Sequence, residues 1–150
     1  MSRLKDDTFL QMARVLGRLS TCSRADVGAI ITKEGRAISW GYNGAPPGMD
    51  HCDHTLDLGE GCTESTHAEA NAVAFAARQG ISTEGGTLYV SVSPCDVCAR
   101  LLIAAGIVRV VPYSAYRLTY GLEILELGGV DVDGHYIGYG STAESLSESL

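Results

Sequence analysis

The run His67-Ala68-Glu69 and the later run Pro94-Cys95-Asp96-Val97-Cys98 hold one imidazole, two thiols and one carboxylate at spacings that suit metal chemistry. Three such nitrogen and sulfur ligands are what a zinc ion takes from protein in a catalytic site, where the fourth place is kept for water. That water becomes hydroxide near neutral pH, and a carboxylate two residues past the histidine is placed to carry its protons. Two thiolates balance the charge of the ion and a neutral imidazole adds none. Glu69 would then be an uncompensated carboxylate unless it had a proton to handle. A Cys-x-x-Cys with a distant His also builds structural zinc sites and redox pairs. The unspent carboxylate favours hydrolysis over both.

Two helix starts must bring these groups together. Pro94 suits the first turn of a helix running to Ala105, which sets Cys95 and Cys98 three residues apart on one face, at an end whose dipole favours thiolate. His67 opens an alanine-rich run to Gln79 with strong helix propensity. Thr87 to Val92 and Val108 to Tyr113 read as strands, and Gly80 and Gly106 stand where helix C-caps belong. Strand, helix and strand on such short links require a parallel, right-handed crossover. Upstream, Lys5 to Leu19 places Phe9, Met12, Ala13, Leu16 and Leu19 at helical spacing. Val27 to Thr32 and Arg36 to Tyr42 form a hairpin about Lys33-Glu34-Gly35. A helix over Leu118 to Leu127, a strand over Val130 to Val132 and a loose polar tail, Gly138 to Leu150, complete the chain. The alternation is that of an α/β domain, with no internal repeat and no linker, so residues 1–150 read as one domain.

Asn43 to Thr66 is a long segment without periodicity, of the kind that in a compact domain is functional or disordered. It holds His51, Cys52, His54 and Cys62 and too little apolar content to order itself. A closed tetrahedral zinc with Cys22, Cys52, Cys62 and one His would tie it to the end of the first helix. His54 is preferred over His51 as the fourth ligand, because a neighbour of Cys52 is harder to orient. Otherwise Cys22 is a small buried hydrophobe and the histidines are solvated.

The 150 residues are 45% hydrophobic and 19% charged, an ordinary globular composition. No apolar run approaches the ~20 residues of a membrane span. The start lacks a signal-peptide pattern, and five Cys cannot all pair, so a reducing cytoplasm is expected. A net charge of -7 argues against a long polyanionic partner, though one phosphate needs only a local pocket of donors.

With Val27-Gly28-Ala29-Ile30-Ile31, Gly41-Tyr42-Asn43-Gly44, HAEANA at His67 to Ala72 and SPCDVC at Ser93 to Cys98, the chain resembles deoxycytidylate (dCMP) deaminases of the zinc-dependent cytidine deaminase superfamily. The likeness runs from about Cys22 to Tyr116. It implies a three-layer α/β/α sandwich around a five-stranded mixed sheet, assembled as a hexamer. It also implies hydrolysis of dCMP to dUMP and ammonia, which supplies dUMP for thymidylate synthesis. On that resemblance His67, Cys95 and Cys98 hold the catalytic zinc and Glu69 moves the protons. Cys22 and Cys52 match positions used for a second, structural zinc in some members. The backbone of Ala68 and the carbonyl of Ser93 hold the base edge, and Asn43 contacts the sugar. Arg24 is the candidate phosphate contact, and Tyr113 and Tyr116 are candidates to pack on the nucleotide. Phe75 and Arg78 fall where regulatory contacts for dCTP, an activator, and dTTP, an inhibitor, lie in relatives. Each has a plainer role: Asn43 as a turn residue, Arg24 as an ordinary exposed arginine, the tyrosines and Phe75 as core, and Arg78 as a C-terminal helix cation.

Other members of the superfamily fit less well. A tRNA adenosine deaminase brings a basic surface for folded RNA, against the charge of -7 here. A free-nucleoside cytidine deaminase typically has a Cys where His67 stands. A non-catalytic zinc module leaves Glu69 without a purpose.

Overall fold

The computed structural model describes residues 2–54, 62–116 and 119–137. The polar tail and the first residue of the helix expected from Leu118 lie outside them. In order the elements are α1 (Arg3–Gly17), β1 (Gly28–Lys33), β2 (Arg36–Tyr42), α2 (Ala68–Arg78), β3 (Thr87–Val92), α3 (Asp96–Ala104), β4 (Arg109–Ser114), α4 (Tyr120–Leu127) and β5 (Asp131–Val132). The sheet order is β2-β1-β3-β4-β5. β1 runs antiparallel to β2 and β3, whereas β3, β4 and β5 are parallel. The expected five-stranded mixed sheet is therefore present, with helices packed on both its faces.

Alternation along the strands assigns the two faces. Ala29, Ile31, Leu88, Val90 and Val110 turn to one side and pack with Ala68 and Ala72 of α2, Ala99 and Leu102 of α3 and Leu125 of α4. Tyr89 and Val111 turn to the other, where α1 covers them with Leu10 and Phe9. With both faces covered, the inner strands read as continuous apolar runs.

The β1–β2 hairpin turns through Glu34 and Gly35, both at positive φ (54° and 74°), the geometry of a two-residue loop that matches strand twist. Gly80 and Gly106, also at positive φ, follow the C-caps Gln79 and Ala105 as the spacing predicts.

Two local expectations are corrected. The first helix buries Asp6, Leu10, Ala13 and Gly17, while Met12 and Leu19 of the expected stripe are exposed. Small residues decide this: a Cβ on Gly28 would overlap the carbonyl of Ala13 and the amide of Gly17, so glycine there lets α1 lie directly on β1. The second correction concerns Pro94. Helix α3 starts at Asp96 with Cys95 as its N-cap, so Pro94 precedes the helix instead of opening it.

Asp6, 2% exposed, meets a charged partner under α1. Arg109 reaches both its oxygens at 2.9 Å and also Asp133 at 2.9 Å, while the Tyr89 hydroxyl donates to Asp6 at 2.7 Å. Periodicity carries no signal for this network, because Asp6 occupies a helical position that a polar residue fills only when its partner arrives from a distant strand.

Candidate active site

The N-termini of α2 and α3 point into one pocket of about 330 Å³, lined among others by Arg24, Asn43, His67, Ala68, Glu69, Ser93, Cys95 and Tyr116. That volume lies at the lower end of small-molecule sites. His67 caps α2 in extended backbone (ψ 152°), which turns its imidazole away from the helix toward α3. Cys95 caps α3 the same way (ψ 174°), and its Sγ accepts the Cys98 N–H at 3.5 Å. His67 Nδ1 stands 3.5 Å from Cys95 Sγ and 3.4 Å from Cys98 Sγ. With ordinary zinc–sulfur and zinc–nitrogen bonds, a tetrahedral centre sets such atoms about 3.5 Å apart, so the three donors fit that ion.

Glu69, in the first turn of α2, is 4% exposed. Burial pushes its carboxyl up to about 7, against the opposing pull of its own backbone amide and His67. Between the thiols, hydrogen bonding from Cys98 and His67 holds Cys95 down to about 4, and Cys98, beside Cys95 and buried, is pushed up. Of the carboxyl and the two thiols, only the Glu69 carboxyl lies near neutrality.

The second cluster also assembles. One ligand atom each from Cys22, Cys52, His54 and Cys62 lie within 4.8 Å of one another, with Cys22 Sγ 3.3 Å from His54 Nε2. His51 is exposed and outside the group. Burial and the adjoining thiols push Cys52 up to about 12. Burial also works against the Cys62 thiolate, yet the backbone amides of Glu64 and Ser65 and the neighbouring thiols bring it below the ordinary thiol value. Three sulfurs and an imidazole in one place, with amides aimed at one sulfur, are the donor set of a closed zinc site. Cys22 and Cys62 also line the pocket that holds His67 and Glu69, so the two clusters share a wall.

Asn43 lines the pocket, but its amide is engaged with backbone: Oδ1 accepts the Val27 N–H at 2.9 Å and Nδ2 donates to the Ala25 carbonyl at 2.7 Å. It thereby ties down the segment next to Arg24. Tyr113, a candidate for stacking on a nucleotide, faces the opposite side of the sheet, where the Arg14 guanidinium lies 3.9 Å from its ring centre. The reason is register: Tyr113 shares the face of Val111, not that of Val110. Phe75, 40% exposed, lines a separate apolar groove of about 330 Å³ with Trp40, Tyr42, Asn71 and Gln79. Arg78 is exposed at the end of α2 and is not among the residues lining that groove.

Sequence reasoning passed over the groups that hold this site in shape. A Cβ on Gly41 would collide with the backbone of Ala68 and Ala72, so glycine lets β2 lie against the start of α2. Asn71 Nδ2 donates to the Tyr42 carbonyl at 2.8 Å, and the Ser39 hydroxyl to the Ala72 carbonyl at 2.6 Å. Gly121 of α4 sits against Pro94 and Cys95, where a side chain would overlap their backbone. Gly41 and Asn71 lie within the motifs read from the sequence and Ser39 and Gly121 outside them, but for all four the structural role depends on what approaches them.

Residues 3–114 match the model of the cytidine and deoxycytidylate deaminase zinc-binding region. The chain is 36% identical over 128 residues to ComE operon protein 2 of Bacillus subtilis (strain 168), covering 83% of this chain and 68% of that protein. It is 38% identical over 119 residues to the deoxycytidylate deaminase of Mycobacterium phage D29, covering 71% and 91% respectively. In structure it is similar to the dCMP deaminase of cyanophage S-TIM5 determined in complex with dCMP and dUMP, with a TM-score of 0.83, 32% identity and coverage of 89% of this chain and 98% of that one. A match over most of the chain, across a range that includes both zinc-ligand motifs and most of the sheet that brings them together, means that this chain belongs to the cytidine and deoxycytidylate deaminase family.

Proposed function

We propose that this chain hydrolyses dCMP to dUMP and ammonia. The observation that carries the reading is the buried Glu69 carboxyl in the same pocket as His67 and Cys95, whose donor atoms cluster with that of Cys98. Support for dCMP comes from the deoxycytidylate deaminases it is similar to, one of them determined with dCMP and dUMP. In this reading His67, Cys95 and Cys98 hold a catalytic zinc. The ion supplies Lewis-acid activation of water, which makes a nucleophile available at neutral pH.

Glu69 then takes the proton that the attacking water gives up and delivers it to N3 of the cytosine ring. Glu69 next takes the remaining proton from the hydroxyl now on C4 and passes it to the exocyclic nitrogen, which leaves as ammonia as its bond to C4 breaks and the C4 carbonyl forms. A carboxyl poised at about 7 suits a group that must both accept and donate in one cycle. The Ala68 backbone and the Ser93 carbonyl hold the base edge. Asn43, Arg24 and Tyr116 line the pocket, and in this reading they meet the sugar and phosphate.

Cys22, Cys52, His54 and Cys62 hold a second, structural zinc that orders that wall. Phe75 and Arg78 belong to an effector site for dCTP and dTTP, which takes shape across subunits of a hexamer. Residues 1–150 act as one catalytic domain that supplies dUMP for thymidylate synthesis in the cytoplasm. Among the described residues no helix is long and apolar enough to cross a membrane. The test is ammonia release from dCMP, CMP, deoxycytidine and dCTP, each with and without dCTP as activator. Turnover of dCMP well above the others supports the reading, and turnover of deoxycytidine equal to that of dCMP overturns it.

A further inference from the structure

Where β3 and β4 end, their ladder is continued by side chains. The strands are parallel and in register from Thr87 opposite Arg109 to Val92 opposite Ser114, so Ser93 stands opposite Ala115. The Ser93 N–H donates to the Ser114 carbonyl at 2.8 Å. In a parallel ladder, a residue whose N–H bonds the residue before its opposite number receives, at its own carbonyl, the N–H of the residue after it. The donor due at the Ser93 carbonyl is therefore Tyr116 N–H. It goes elsewhere: Tyr116 N–H donates to Ser93 Oγ at 2.6 Å. The preceding step is braced likewise by Ser114 Oγ, which donates to the Ser91 carbonyl at 2.9 Å.

We propose that the Ser93 hydroxyl makes Ser93 a positioning residue: by taking the Tyr116 amide, it spares the Ser93 carbonyl for the exocyclic amino group of the substrate. Ser93 is 3% exposed and both residues line the pocket that holds Glu69. An alanine at 93 leaves the Tyr116 amide without its acceptor, and the nearest one along the ladder is the carbonyl itself. The inference rests on the deaminase reading for the identity of the amino group, while its geometry concerns the end of the sheet alone.

The experiment compares dCMP with dUMP, which carries an oxygen where dCMP carries the amino group. Each is titrated calorimetrically onto zinc-loaded Glu69→Gln protein, with and without Ser93→Ala. Loss of one hydrogen bond to the amino group weakens dCMP binding about tenfold while dUMP binding changes less than about threefold. Ser93→Thr, which keeps the hydroxyl, stays within about threefold of the parent for both. Should Ser93→Ala not fold, Ser93→Cys, of similar size but a poor acceptor, must give the same contrast. Equal weakening of both ligands would mean a displaced Tyr116 and nothing more, and would overturn the proposal, as would no effect on either. Wild-type protein that releases no ammonia from dCMP sinks the activity reading and not this one, because the contrast is read without turnover.

Discussion

Asp6 in the first turn of α1 and Arg109 at the start of β4 form a two-bond ion pair, 2.9 Å at each oxygen, roofed by the Tyr89 hydroxyl. Burial works to raise the Asp6 carboxyl, but the hydrogen bonds from Arg109 and Tyr89 and the charge of Arg109 bring it below the usual carboxylate value. A group whose folded pKa is depressed adds stability above its unfolded pKa of about 3.9 and loses it as pH falls through the folded value. Wild-type melting temperature is therefore expected to drop as pH falls below about 4, with a shallower slope in Asp6→Asn. At pH 7 the substitution should cost about 2 to 3 kcal/mol, since it leaves a largely buried guanidinium short of charge. Calorimetric melts across pH check both.

Gly28→Ala should be among the most destabilising single-methyl changes available, at about 3 kcal/mol or more, because its Cβ meets the backbone of α1 and no side chain can move aside. Chemical denaturation measures it. A loss below about 0.5 kcal/mol would show that α1 can lift off β1 freely.

Glu69→Gln should retain the fold and the active-site zinc and lose about two to four orders of magnitude in turnover, the range for a proton-transferring group. The check is kcat beside elemental analysis of the same preparation. Activity within tenfold of wild type would rule out Glu69 as the proton carrier.

Zinc content should be near two per chain, given two donor clusters of closed and open type. Cys52→Ser should remove one equivalent and lower the melting temperature, whereas Cys95→Ala should remove the other and abolish turnover. A single zinc in fully active wild-type protein would return Cys22 and His54 to ordinary packing.

Arg78→Glu should erase any response to triphosphates while sparing basal turnover, because Arg78 is exposed and is not among the residues lining the Glu69 pocket. In wild type, dCTP should lower and dTTP raise the half-saturating dCMP concentration, with a coupling of about 1 to 3 kcal/mol. Initial-rate curves indifferent to both nucleotides would leave Phe75 as a groove residue without a regulatory task.

Side-chain chemistry and local backbone preference were legible without coordinates. His67, Glu69, Cys95 and Cys98 announce themselves because few other residue types supply soft ligands beside a spare carboxylate, and spacing within one helix start is set by the chain itself. The order of helices and strands was legible for the same reason: hydrophobic period and glycine caps are local properties. Cys52, His54 and Cys62 were singled out with Cys22 because soft donors stand out in a segment of little apolar content, and the structure groups ligand atoms of these four without His51.

Tertiary structure decided whatever depends on which surface approaches which. The buried stripe of α1 follows Ala13 and Gly17 instead of the larger Met12 and Leu19, because close approach to Gly28 outweighs side-chain bulk. Tyr113 and Tyr116, similar by type, part company at the end of β4: the first, within the strand, lies under Arg14 on the α1 face, and the second, beyond the strand, lines the pocket. Asp6, Arg109 and Ser93 acquire their roles only across the sheet, from partners far away in the chain. A sequence states what each residue can bond to, and the packing of the layers selects the partner, because long-range hydrogen bonds and close backbone contacts form only between surfaces that the fold has already brought together.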